Sequence, residues 1–299
     1  MPTYADLLPE SLAGQTWLHA PAPFACLRVH GPDAASFLHR LCTQDVEGLR
    51  DGDARPAAFL TAKGKVEALV WIARLGEELW IETQAQAAAS LAALLDRYHF
   101  SEKLAIETPA NWTCRQVVGA HAHARTGQAA SSAHRDGGVV RFAGAASGLQ
   151  WVRTHGASLP PASEDLPLLD EPTWQCLRVA AGLPWTGIDA DTTTLALEAG
   201  IDDHVSLTKG CYTGQEIVAR IHTYGHTNRR LCRLRWRGSA PSGAQLTDPS
   251  GEPVGRVTSI APVPGTDFVL ALGYLPHELA NPGTQLVLTP GGTAVEVCG

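Results

Sequence analysis

Residues 209–220 read Lys-Gly-Cys-Tyr-Thr-Gly-Gln-Glu-Ile-Val-Ala-Arg, and few backbone paths accommodate that order. Thr213 and Glu216 have the Ser/Thr-x-x-Glu spacing of a capping box, and the apolar Ile217, Val218 and Ile221 follow. The spacing predicts a helix from about Gly214 with Thr213 as its cap. Cys211 then lies in the loop before the helix N-terminus, where the helix dipole and the Lys209 ammonium both favour a thiolate. Gly210 and Gly214 leave the backbone free to turn tightly or to approach a ligand. Two readings of Cys211 stay open. One is a reactive or ligand-touching thiol on a Gly-hinged loop; the other is a small buried cysteine in a structural turn.

The rest of the chain limits what this loop can belong to. A length of 299 residues suits two domains, or one large domain with an appendage. With 44% apolar and 18% charged residues the composition is that of a globular protein with a sizeable core. A net charge of −7 gives no global attraction for nucleic acid, so direct DNA binding is not expected. Residues 1–10 lack a basic segment followed by an apolar run. No apolar run approaches the ~20 residues that span a bilayer. A cytoplasmic protein without membrane contact is therefore expected. The seven cysteines are scattered, with no CxxC, which points to reduced thiols.

In chain order, Ala25–Val29 reads as a strand and Gly31-Pro32-Asp33 opens a helix whose apolar face is Phe37, Leu38 and Leu41. Thr43-Gln44-Asp45-Val46 ends it. Strands follow at about 56–61 and 66–73 around the turn Ala62-Lys63-Gly64-Lys65, then at Leu79–Glu82. Thr83 is placed to cap a helix reaching Tyr98, with Leu91, Leu94, Leu95 and Tyr98 on one face. Residues 120–148 are rich in Ala, His, Ser and Gly and read as a solvated loop. His121, His123 and His134 lack an acidic or Cys partner nearby, so no metal site is expected. Pro160–Pro172 reads as a connector. Trp174–Ala181 is a helix ending at Gly182. Its one cation, Arg178, reads either as a surface arginine or as a ligand-gripping one. After Arg230 the period becomes two: Cys232, Leu234 and Trp236 alternate with Arg233, Arg235 and Arg237. Strands at about 253–260, 267–274, 284–289 and 293–298 complete a small barrel or sandwich. The arginine face suits an anion, RNA or plain solvent.

The run Lys209-Gly210-Cys211-Tyr212-Thr213-Gly214-Gln215-Glu216, followed by Ala219-Arg220, resembles the signature of the YgfZ-type folate-binding proteins, relatives of the glycine-cleavage T-protein. The resemblance extends to Gly31-Pro32-Asp33-Ala34, Thr43-Gln44-Asp45-Val46 and Lys63-Gly64-Lys65-Val66. It continues through 177–184, Asn228-Arg229 and Gly255-Arg256-Val257-Thr258-Ser259. Only 120–170 looks unrelated. It implies an α+β, T-protein-like fold: two intertwined α+β units around a central cavity over 1–229, with a variable loop at about 120–170, and a C-terminal β-barrel over 230–299.

The resemblance further implies a bound tetrahydrofolate and a role in assembling or repairing iron–sulfur clusters in client enzymes, with an effect on tRNA modification. The partners implied are iron–sulfur client or assembly proteins. By resemblance the cofactor-binding candidates are Asp45, Arg178, Lys209, Gly210, Cys211, Tyr212, Gln215 and Glu216, with Cys211 also a reactive-thiol candidate at the cavity rim. Two departures matter. The T-protein's catalytic aspartate has its place at or near Ala68, which argues against aminomethyl transfer unless Glu67 or Asp45 substitutes. A Pro-x-Glu-x-Asn-like run of relatives keeps only Glu198 here. The rival reading is a folate-dependent aminomethyl or methyl transferase, and a third is a binding scaffold with an inert Cys211.

Overall fold

Alternating burial along the N-terminal two thirds builds two five-stranded antiparallel sheets that share the chain unevenly. The computed structural model describes residues 2–163, 165–225, 227–239 and 245–299. The chain begins with α1 (Glu10–Ala13), β1 (Thr16–His19), β2 (Phe24–His30) and α2 (Ala34–Leu41). Next come β3 (Ala54–Leu60), β4 (Val66–Leu75), β5 (Glu78–Gln84), α3 (Ala88–Tyr98) and β6 (Ala105–Glu107). They are followed by β7 (Thr113–Gly119), α4 (Ala122–Thr126), β8 (Ser132–Asp136), β9 (Val139–Ala146) and β10 (Leu149–Gly156). Helices α5 (Glu171–Ala180) and α6 (Gln215–Tyr224) lead to the C-terminal strands.

The first sheet has the order β3-β4-β5-β2-β6 and the second β1-β7-β10-β9-β8. Consecutive strands β1 and β2 thus go to different sheets, which intertwines the two units. On the first sheet Leu27, Val29, Ile72 and Ile81 pack one face against Phe37 and Leu38 of α2 and Leu91 and Leu95 of α3. Its other face turns toward the second sheet, where Cys26, Ala73, Trp80, Val140 and Phe142 share a core. Strands β11 (Arg229–Arg237), β12 (Gln245–Thr247), β13 (Pro253–Pro262), β14 (Phe268–Pro276), β15 (Gln285–Thr289) and β16 (Thr293–Val297) close a barrel. Helix α5 joins barrel to sheets: Trp174, Leu177 and Ala180 share a core with Val118, Leu270 and Leu272. Its N-cap is Asp170, whose carboxylate accepts from the Thr173 N–H at 2.9 Å.

Several expectations are corrected. The region 120–148 is not a solvated loop: β8 and β9 lie within it and, with β10, supply three strands of the second sheet. Its Ala- and Gly-rich strands suit close packing; Trp151 lies across the α-carbon of its cross-strand partner Gly144, where a Cβ would stand 2.8 Å from the indole nitrogen. Thr83 caps no helix. It belongs to β5 and donates to the Leu69 carbonyl at 2.9 Å, and α3 starts only at Ala88. Arg233, expected on a solvated face, is buried and donates to the Ala180 carbonyl at the end of α5 at 3.1 Å. The barrel has a sixth strand, β12, too short for periodicity to reveal.

Candidate functional site

Strand register decides which side chains meet between the sheets. In the second sheet His19, Gln116 and Arg153 stand directly opposite one another, so they share a face. Two residues along, on that same face, are Trp17, Val118 and Trp151; two the other way, Cys114 and His155. From the first sheet, Phe24 faces Gln84, and Glu82 lies between Cys26 and Trp71.

One buried ionic network ties the sheets together. Glu82 accepts from Arg153 Nη1 through one oxygen at 2.7 Å and bonds His155 Nε2 through the other at 2.7 Å. Arg153 Nε donates to Gln116 Oε1 at 2.7 Å. Burial opposes the charge on His155, but the Cys114 sulfur at 3.7 Å and the Glu82 carboxylate outweigh it and hold its pKa up at about 10. Burial likewise opposes the Glu82 carboxylate, yet Arg153 and His155 keep its pKa below the usual range. Two cations thus share one carboxylate, with the Cys114 sulfur also beside His155.

Beside this network lies a cavity open to solvent. Phe24, Trp71, Trp151, Trp174 and Trp185 give it aromatic walls. Three of its lining residues carry a buried polar atom with no protein partner among the described residues: Gln84 Oε1, Trp151 Nε1 and Trp174 Nε1. Just behind them Trp17 Nε1, His19 Nδ1 and Gln116 Nε2 are in the same condition. A buried donor or acceptor left unpaired costs roughly 1–3 kcal/mol. Such a concentration is expected where a polar ligand completes the bonding.

Of the residues singled out in the sequence, Arg178 lines this cavity. It is no surface arginine: it is 2% exposed. Its guanidinium donates to Asp189 and the Leu183 carbonyl, both at 2.8 Å, to Ser259 at 2.8 Å and to Gln175 at 2.9 Å. Four of its five N–H groups are thereby engaged, and Asp189 neutralises its charge. Ser259 and Thr258 of β13 also donate to Asp189, each at 2.6 Å, so this pair locks the barrel onto α5.

The signature loop lies elsewhere. Lys209 Nζ donates to the carbonyls of His39, Cys42 (2.8 Å) and Gln44 (3.1 Å), closing the C-terminal end of α2. Burial lowers its pKa. The thiol under its influence is Cys42, which burial pushes up to about 11 against the pull of Lys209. This corrects the expectation that the ammonium serves Cys211. Cys211 is exposed, and neither it nor its signature neighbours line the cavity. The predicted capping box does not form: Gly214, not Thr213, is the N-cap, with no side-chain cap bond. Gln215 Oε1 instead accepts from the Tyr212 N–H at 3.3 Å. Gly214 has φ +84° and lies so close to the β3–β4 hairpin that a Cβ would stand 2.6 Å from the Thr61 carbonyl. Glu216 is exposed, Tyr212 is buried, and Gly210 packs beside His39. Asp45 accepts from the Gly48 N–H at 3.0 Å and pairs with His39 at 3.3 Å, in the same cluster as Lys209.

Two family models cover this architecture: the GCVT N-terminal domain over residues 21–145 and the glycine cleavage T-protein C-terminal barrel domain over 229–298. An iron-sulfur cluster assembly factor IBA57 homolog of Phaeosphaeria nodorum is 30% identical, over 93% of this chain and 69% of its own. The chain belongs to the T-protein-like family of IBA57 and YgfZ. A tRNA-modifying protein YgfZ of Serratia proteamaculans is 26% identical, over 74% of this chain and 72% of its own. A chloroplastic Arabidopsis thaliana protein named as a transferase is 26% identical and is covered over 66% of its length, so the chain spans about two thirds of that relative. The fold matches the glycine cleavage system aminomethyltransferase T of Bartonella henselae at a TM-score of 0.79 and 20% identity, over 97% of this chain and 89% of that one.

Within this T-protein-like chain, the place of the absent aspartate is informative. Ala68 packs in the core beneath α2 and α3, and it is the apolar Leu69, Val70 and Trp71 of β4 that line the cavity. Glu67 pairs with Arg97 at 3.2 Å instead of entering it. Glu198 bonds the Leu195 N–H at 3.2 Å and Arg229 at 3.1 Å, pinning the chain before the barrel. The carboxylates that do line the cavity are Glu82, held by two cations, and Asp203, which bonds His204 at 2.7 Å. Sequence reasoning missed Trp71, Glu82, Gln84, Trp151 and Arg153, because they come from strands far apart in the chain. The Trp-x-Arg-x-His alternation at 151–155 was the available signal, and it sat in the stretch read as unrelated. Among the described residues no cluster of His, Cys, Asp or Glu has metal-binding geometry, and no helix is long and apolar enough to cross a membrane.

Proposed function

We propose that this protein binds a tetrahydrofolate in the cavity between its sheets and supports the assembly or repair of iron–sulfur clusters in client enzymes, tRNA-modifying ones among them. The observation that carries the folate reading is an aromatic-walled cavity whose lining residues Gln84, Trp151 and Trp174 carry buried polar atoms with no protein partner among the described residues. A flat, hydrogen-bonding heterocycle is what such walls accommodate. The named roles of the IBA57 and YgfZ relatives support the cluster and tRNA readings.

What a tetrahydrofolate supplies when bound is two nitrogens that accept one-carbon units, N5 of the reduced pterin and N10 of the p-aminobenzoyl group. The chain's own part is positioning and shelter. Phe24 and Trp71 cover the ring faces and exclude water. Gln84, Trp151 and Trp174 bond its edges, and Arg153, clamped by Glu82, stays fixed while it does so. Cys211, displayed on the outside of a rigid loop, is suited to contact a client or assembly protein rather than the folate.

Titration of the purified protein with tetrahydrofolate tests the reading. Binding that quenches tryptophan fluorescence and raises the melting temperature with ligand concentration is expected. Absence of binding sinks it. Ready lipoyl-dependent aminomethyl transfer by the same preparation favours the transferase alternative, with Glu82 or Asp203 serving as the carboxylate.

A further inference from the structure

The second sheet carries charge on the face turned away from the cavity as well. Strand register sets Arg115 of β7 and Arg141 of β9 on either side of Thr154 of β10, with His134 of β8 next to Arg141. Their chain neighbours Cys114, Gln116, Arg153 and His155 make the buried network, so this row points the other way. Strand spacing puts the α-carbons of the two arginines roughly 10 Å apart. Both side chains are half-buried. Burial and the positive charge of Arg141 lower the pKa of Arg115. Among the described residues neither guanidinium makes an ion pair or a hydrogen bond, and the Thr154 hydroxyl between them makes none either. Asp136, on the same face of β8, is exposed and pairs with neither. Elsewhere Arg28, Arg97, Arg135, Arg153 and Arg235 each pair with a glutamate. Like charges brought together on a sheet face cost stability, and here the fold supplies nothing to offset them.

We infer that Arg115, Thr154 and Arg141 form a binding site for a terminal phosphate group, a monoester carried by a small metabolite or by the 5′ end of an RNA. The two guanidinium forks come from opposite sides of Thr154. A terminal phosphate offers three oxygens and close to two negative charges, so each fork spans a pair of oxygens and the two cations are neutralised together. The Thr154 hydroxyl donates from between them. A carboxylate, with one charge and two oxygens, satisfies a single fork, and a phosphodiester brings only one charge. With a net charge of −7 the chain has no general attraction for polyanions, so selection lies in this pair. The site is independent of the folate reading, because the sheet itself separates it from the cavity.

The test is calorimetric titration of the intact chain at constant ionic strength. The probes are inorganic phosphate, adenosine monophosphate with adenosine as its control, and an RNA oligomer with either a 5′-phosphate or a 5′-hydroxyl. Adenosine monophosphate should bind and adenosine should not. Arg115→Gln and Arg141→Gln should each weaken the monophosphate about tenfold or more, the loss of a charged hydrogen bond. Arg141→Lys keeps the charge without the fork and should recover only part of that loss. Ligand-free melting separates a binding role from a structural one. Each Gln variant relieves repulsion, so its melting temperature should equal or exceed that of wild type, whereas arginines that hold the sheet together would lower it on removal. Phosphorylated RNA binding more tightly than both the monophosphate and its 5′-hydroxyl counterpart identifies an RNA end as the source; monophosphate binding as tight as the RNA identifies a small ester. Equally tight binding of the two RNAs overturns the inference, since backbone diesters then suffice. So does binding that survives both Gln substitutions, or no binding of any phosphate probe at millimolar concentration.

Discussion

The signature loop and the central cavity are built on opposite principles. In the loop, polar groups are used up internally: Lys209 is spent on three carbonyls, Gln215 on the Tyr212 N–H, and Gly214 on a close approach to the hairpin. At the cavity, three lining residues hold buried polar atoms with no partner among the described residues. The lesson is that the most recognisable run of residues is a clasp, while the cavity is lined by residues scattered over β2, β4, β5, β9, β10 and α5. Cys211 departs from the pattern, being exposed on the clasp.

The sharpest way to break this comparison is to cut the network beneath the cavity. Glu82→Ala leaves Arg153 and His155 as uncompensated buried cations and should cost about 3–5 kcal/mol in a urea melt, against the small cost of an exposed substitution. The same network sets a pH signature. His155 is raised to about 10 in the fold, against about 6.5 unfolded, so its contribution is whole below the lower value and is lost as pH rises through the upper. Glu82 is depressed, so its contribution is present above its unfolded pKa and is lost as pH falls through its folded one. The urea midpoint of wild type should therefore fall between pH 7 and 10, and His155→Gln should flatten that fall. An unchanged slope would show that His155 is neutral in the fold.

Next in size is the clasp itself. Gly214→Val forces a β-branched residue to positive φ and into the Thr61 carbonyl, and should cost roughly 3 kcal/mol. Lys209→Met removes charge-assisted bonds to the end of α2, with an expected loss of about 1.5–3 kcal/mol in the same melt. If Lys209→Met instead left stability untouched but abolished folate binding, the assignment of loop and cavity to different tasks would be wrong. The smallest effect is expected from Cys211→Ser, within about 0.5 kcal/mol of wild type. Its readout is chemical: maleimide should label one thiol quickly in the native protein, and this variant should lose that fast phase. The other six cysteines are buried.

Much of the fold was legible in advance. The strands around Phe24, Ala54, Val66 and Glu78, helices α2, α5 and α6, and the barrel strands followed from apolar period and turn residues, because those are local signals. The errors were also local in cause. Thr83 has a capping side chain, but its hydroxyl bonds to the neighbouring strand. Residues 120–148 lack large apolar residues at the expected places, and small ones proved sufficient where a tryptophan lies over a glycine.

The sequence by itself determined the family, most strands of the first sheet and of the barrel, helices α2, α5 and α6, and the tight turn at Gly214, since each rests on residues close together in the chain or on a backbone conformation only glycine readily adopts. Tertiary structure alone decided that Arg178 is a neutralised clamp, that Lys209 serves α2 rather than Cys211, and that Glu82, Arg153 and His155 share one charge balance. Burial and charge pairing depend on which distant strands lie opposite one another. That register comes from the packing of whole sheets, not from the spacing of any one motif.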